Sequence, residues 1–119
     1  MTDACLFCGI VTGDVPADMV LEHDDVIAFE DKFPRAPVHV LVVPRIHLDS
    51  AADLHREHDA LLGRCFQAAR EVAAHKGTEE GYRITTNIGA RGGQAVGHLH
   101  FHVLGGRQLG LIDSEAPRD

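Results

Sequence analysis

Residues 98–103 read His-Leu-His-Phe-His-Val, a strict alternation of imidazole and apolar side chains. Successive side chains of a β-strand point to opposite faces. A strand here therefore lays Leu99, Phe101 and Val103 on one side and His98, His100 and His102 on the other. The apolar set needs a core to pack against. The histidines either face solvent, as the outer face of an antiparallel sheet permits, or gather as a site. One histidine would suit the first description; three in register favour the second. The spacing predicts a strand over 97–104.

Around that strand, the 119 residues have room for one domain, with a short tail over about 109–119. Residues 7–11 read as a turn of helix closed by Gly13 and Pro16. Residues 19–23 and 26–29 read as strands turning at His23-Asp24-Asp25, and 38–43 as a β-branched strand stopped by Pro44. Residues 82–88 read as a further strand. Leu54, Leu61, Leu62, Cys65, Phe66, Ala69, Val72 and Ala73 recur at three- and four-residue intervals, which predicts a helix over 53–76. Ser50 or Asp53 caps its start, Lys76-Gly77 ends it, and Cys65 falls in its stripe as a small core residue. This order predicts an α+β domain built on a five-stranded antiparallel sheet, with one long and one short helix.

Composition removes several functions. A net charge of −7 is the wrong sign for a nucleic-acid groove, though a small phosphorylated ligand remains compatible. No apolar run approaches the roughly 20 residues of a membrane span. Met1-Thr2-Asp3-Ala4 lacks the pattern of a secretory leader, so the expected location is the cytoplasm.

The segment feeding the histidine strand, residues 87–97, carries Gly89, Gly92, Gly93 and Gly97. Such a loop is either a plain hairpin connector or a nest whose backbone N–H groups cradle an anion. It has neither the Lys-Ser/Thr nor the following helix of the common nucleotide loops. His39 opens another strand, where it can fix the tautomer of a reacting imidazole or serve as an ordinary strand residue. Asp31, at a strand end, can accept hydrogen bonds from ribose hydroxyls or simply face solvent. Cys5-Leu6-Phe7-Cys8, in a chain with three cysteines, suits metal binding or redox chemistry better than a structural disulfide.

Taken together, these segments resemble the histidine triad family, whose signature His-apolar-His-apolar-His-apolar-apolar is complete at 98–104. The likeness runs from Phe7 to Gln108 and is closest to the branch of histidine triad nucleotide-binding proteins. It is carried also by Phe29-Glu30-Asp31, Ala36-Pro37-Val38-His39, Val43-Pro44-Arg45-Ile46-His47, Gly92-Gly93-Gln94 and Val103-Leu104-Gly105-Gly106-Arg107-Gln108. The resemblance implies a purine nucleoside phosphoramidase or nucleotidyl hydrolase acting on AMP or GMP conjugates. His100 would attack the α-phosphorus, His102 would contact the phosphate, and His39 would orient the triad. Asp31 would hold the ribose; Asn87, Gln94 and the Gly92-Gly93 backbone the phosphate side; Phe7, Ile10, Val15 and Phe29 the base. Homodimers joining two sheets into one of ten strands are also implied. The chain departs from the pattern at Ala95, where a serine hydroxyl is common, and its tail lacks a tryptophan found in some relatives.

Cys5-x-x-Cys8 has the spacing of half a tetrahedral zinc site. Some bacterial relatives complete it with two histidines, matched here by His47 and His98, and such a zinc would be structural. Two rival readings stay open on sequence. In one, His98, His100 and His102 share a catalytic metal. In the other, the chain binds nucleotide, or scaffolds, with little or no turnover.

Overall fold

The computed structural model describes residues 5–113; the leader reading at residues 1–4 and the tail over 114–119 lie outside the described residues. Five strands form one sheet: β1 (Met19–Glu22), β2 (Val26–Glu30), β3 (Val38–Pro44), β4 (Tyr82–Thr85) and β5 (Phe101–Gly105). Their order across the sheet is β1-β2-β3-β5-β4, and every neighbouring pair is antiparallel. The last strand is thus inserted between β3 and β4, with β1 and β4 at the edges. Two helices complete the fold, α1 (Leu6–Thr12) and α2 (Asp59–His75). This is the α+β architecture expected.

Each face of the sheet has its own apolar cluster. On one, Val26, Ala28, Val40, Val42, Leu99, Phe101 and Val103 pack under α2, which contributes Leu61, Cys65, Ala68, Ala69 and Val72. The helical set repeats at three, four and seven residues, as one buried stripe requires. Burial pushes the Cys65 thiol up to about 12, so it stays protonated as a packing group. On the other face, Ile27, Phe29, Leu41 and Val43 pack against Phe7 of α1. The histidines lie on this second, thinly covered face. No helix among the described residues is long and apolar enough to cross a membrane.

Three boundaries differ from expectation. The long helix begins at Asp59, because residues 51–58 close two 3-10 turns first, Ala51–Asp53 and Arg56–His58. Ser50 Oγ accepts from the Ala52 N–H and so caps the first of these, leaving α2 to start a turn and a half later. Leu54 still packs on the core from outside the helix, but Phe66 does not join the stripe: it is 43% exposed, its ring edge on Phe101. Finally, β4 stops at Thr85 and β5 starts at Phe101. Residues 98–100 leave the ladder because Leu99 N–H donates to Leu48 O at 2.7 Å, and Thr86 Oγ1 donates to His100 O. The alternation of side chains continues through this break.

Candidate active site

The solvated description of the triad fails, since His98 is fully buried and His100 is 5% exposed. What each ring does follows from its partners. His100 Nδ1 lies 2.7 Å from the His98 carbonyl oxygen, which only accepts. Nδ1 therefore carries the proton and Nε2 carries the lone pair. Phe7 packs edge-on against this ring at 5.1 Å, and the His102 ring lies 5.0 Å away.

His102 belongs to a second chain of contacts. Leu41 of β3 is directly opposite His102, so His39, two residues along, is its diagonal neighbour on the same face. The Arg35 backbone N–H donates to His39 Nδ1 at 3.0 Å, which leaves the proton of His39 on Nε2. That proton points at His102 Nδ1, 2.9 Å away, and at Asp31 Oδ2, 3.2 Å away. His102 Nδ1 accepts, so its Nε2 bears a proton. Burial, followed by the neighbouring His100 and His39, pushes His102 down to about 4, against the pull of Asp31. Burial likewise lowers His39, and Asp31 offsets part of that effect. Asp31 is itself fixed, since Oδ1 accepts from the Phe33 N–H at 2.7 Å.

His98 faces elsewhere. Its Nε2–H donates to Pro44 O at 2.9 Å, and its Nδ1 lone pair points at Cys5 Sγ (3.4 Å), Cys8 Sγ (3.6 Å) and His47 Nδ1 (3.2 Å). His47 Nε2 in turn contacts Asp49 Oδ1 at 2.7 Å, which leaves its own Nδ1 as an acceptor. Two imidazole lone pairs facing one another at 3.2 Å repel, and a cation between them removes the conflict. Burial, with Cys5 close by, raises the Cys8 thiol. The four donors lie within 4.8 Å of one another and form a site able to hold a metal ion. Among the described residues His100 joins no such cluster, and His98 and His102 fall in different ones. The shared-metal rival therefore has no geometric basis.

The glycine loop is closed by its own hydrogen bonds. Gly89 and Gly93 adopt φ of 75° and 88°, the left-handed region that glycine enters without penalty, around a 3-10 turn at Ala90–Gly92. The N–H groups of Gly92 and Gly93 close that turn onto Gly89 O and Ala90 O, so they do not form an open nest. Gln94, expected at the phosphate, spends its amide on the loop. Nε2 donates to Asp49 O (2.7 Å) and Val96 O (2.9 Å), and Oε1 accepts from the Gly89 N–H. Asn87 commits one Nδ2–H to Gly92 O. Ala95 is exposed, and its N–H has no acceptor among the described residues. On the base side Phe7 meets Phe29 edge to face at 5.4 Å, with Ile10 partly buried against the same cluster and Val15 half-buried.

Three groups in this arrangement escaped the sequence reading: the Arg35 N–H, the Pro44 carbonyl and Asp49. Two are backbone groups with no residue signature. Asp49 had one available signal, a carboxylate two positions after a candidate metal ligand.

The fold and its row of oriented histidines define a histidine-based site on an antiparallel sheet. The chain belongs to the HIT domain family, which matches residues 12–109. It is 40% identical over 111 residues to the purine nucleoside phosphoramidase of Escherichia coli K12, covering 92% of this chain and 93% of that one. An uncharacterised HIT-like protein of Synechococcus elongatus is 44% identical over 109 residues, 92% of this chain and 96% of the other. Among solved structures, a HIT family hydrolase from Legionella pneumophila superposes with a TM-score of 0.89 at 39% identity, over 91% of this chain and 97% of its own. A histidine triad protein from Clostridium difficile gives 0.86 at 40% identity, over 90% and 94%.

Proposed function

We propose that this chain hydrolyses purine nucleoside monophosphate conjugates, of phosphoramidate or acyl-adenylate type, through a nucleotidyl-histidine on His100. The observation that carries the proposal is the bond from His100 Nδ1–H to the His98 carbonyl, which orients the lone pair on Nε2 of the neutral ring. Nε2 attacks the α-phosphorus, a phosphorus–nitrogen bond forms, and the bond to the leaving group breaks as that group takes up a proton from solvent. Water then attacks the same phosphorus and releases a proton to solvent, and Nε2 leaves with its lone pair restored.

His102 supports both steps as a neutral donor, because its Nε2–H points outward while His39 holds its Nδ1. His39 does not need to touch substrate; its Nε2–H, shared between His102 Nδ1 and Asp31 Oδ2, fixes the His102 tautomer and so keeps the His102 Nε2–H available. Asp31 holds the ribose, while Phe7, Ile10 and Phe29 flank the base. On the phosphate side we place the Asn87 amide and the Ala95 N–H, with Gly93 and Gln94 shaping the loop that presents them.

For the cluster of Cys5, Cys8, His47 and His98 we propose zinc. A tetrahedron with zinc–nitrogen bonds of about 2.05 Å and zinc–sulfur bonds of about 2.3 Å has edges of about 3.3 Å (N···N) and about 3.6 Å (N···S). The observed separations of 3.2, 3.3, 3.4 and 3.6 Å are close to these. With all four positions filled by protein, the ion would fix α1 to the triad strand and would leave no open place for a reacting water. A cytoplasmic setting is proposed with it, since thiols that serve as metal ligands suit a reducing compartment. Homodimerisation into a ten-stranded sheet is proposed at one of the edges, β1 or β4, where backbone groups are available to pair.

Incubation with an adenosine phosphoramidate tests the activity. Release of AMP is expected, and is abolished in His100→Ala. Tight AMP binding without any release would instead make the chain a nucleotide-binding protein.

A further inference from the structure

The metal cluster and the glycine loop share a seam. Residues 47–49 follow β3, and residues 94–99 lead into β5. Two hydrogen bonds cross between them, Leu99 N–H to Leu48 O at 2.7 Å and Gln94 Nε2–H to Asp49 O at 2.7 Å, and His47 faces His98 at 3.2 Å inside the cluster. Asp49 stands at the junction. Its carboxylate accepts from His47 Nε2–H, and its carbonyl accepts from Gln94. Gln94 then reaches Gly89 and Val96, the two ends of the loop. On the other side of the cluster, the His98 carbonyl holds the His100 proton.

We propose that metal ion and nucleotide phosphate bind cooperatively, with Gln94 as the positioning residue that couples the two sites. The inference rests on the nucleotide reading above. A cation held by His47 and His98 would offset the repulsion of their lone pairs at 3.2 Å and so stabilise the observed spacing of 47–49 from 94–99. Gln94 makes its bonds to Asp49 O, Val96 O and Gly89 N–H together at this spacing. When they are made, Gly89 and Gly93 hold the loop in the conformation that offers the Ala95 N–H and the Asn87 amide. A phosphate seated on that loop stabilises the same spacing, and linkage makes the effect equal in both directions. The seam is a contiguous set of hydrogen bonds over a few residues, so no long route needs to be invoked.

The test is a zinc competition titration against a chromophoric chelator, using the full chain with no nucleotide, with saturating AMP and with saturating adenosine. AMP is expected to tighten zinc binding by about 5- to 50-fold, within the usual span of site-to-site coupling. Calorimetry should find the same factor for the effect of zinc on AMP, and adenosine should leave zinc affinity unchanged. In Gln94→Leu the factor should fall to near one while zinc and AMP each still bind. A loop that was merely damaged would lose AMP affinity without erasing the factor. Should that variant not fold, amide exchange of residues 89–95 in the natural chain serves instead, and zinc should slow it. Both ligands binding with no mutual effect overturns the coupling alone. An equal effect of adenosine places the coupling at Phe7 on α1 and overturns the Gln94 route. Failure of AMP to bind overturns the nucleotide reading, and the coupling with it.

Discussion

Acid should cost this fold stability through His102, in an amount that can be worked out. In the folded chain burial and two neighbouring imidazoles hold His102 near 4, against an ordinary value of 6.5. Between those values the unfolded chain binds a proton that the folded chain refuses. The contribution is therefore intact above pH 6.5 and is lost as the pH falls toward 4. At pH 5 the unfolded ring is almost wholly protonated and the folded one almost wholly neutral, which corresponds to about 2 kcal/mol. His39, also lowered by burial, acts in the same direction. The assay is urea unfolding at pH 7.5 and pH 5 for the natural chain and for His102→Gln. Carboxylate protonation and metal release affect both chains, so the difference between them isolates the ring. That difference should shrink by about 2 kcal/mol on going to pH 5. A difference that stays constant, or widens in acid, would refute the reasoning.

Two other perturbations follow from the site. His39→Gln should lower turnover by about 100-fold and leave AMP affinity nearly unchanged, because His39 acts through His102; an equal loss in calorimetric AMP affinity would place it in contact with substrate. Gly93→Ala forces a side chain into φ of 88° and should cost about 1–2 kcal/mol in thermal or urea unfolding, with weakened AMP binding. Unchanged stability there would contradict the left-handed turn.

Much of this was legible in the sequence because two periodicities are long enough to survive local accidents. The alternation over 98–103 places Leu99, Phe101 and Val103 under α2 even though the ladder itself begins only at Phe101. The stripe from Leu61 to Ala73 is equally clear. The start of the helix was not legible, since Ser50 caps a 3-10 turn as readily as an α-helix, and the residue alone does not distinguish them. The loop was less legible for a related reason. Gly92 and Gly93 were expected to offer free N–H groups, but whether an N–H is free depends on the turn around it. Gln94 is bonded to Asp49 and Val96, and a contact across 45 residues leaves no mark on spacing. The same holds for Arg35 and Pro44, whose backbone groups fix two imidazoles.

On the proposed function the triad divides into one reacting ring, one supporting ring and one ring turned toward the Cys5, Cys8 and His47 cluster. Rapid quenching of the protein with an adenosine phosphoramidate, followed by peptide mapping, tests that division most directly. The account predicts an adenylyl group on His100 alone, absent in His100→Ala and formed fast enough to carry steady-state turnover. An adenylyl group on His39, His98 or His102, or undiminished AMP release by His100→Ala, would contradict it.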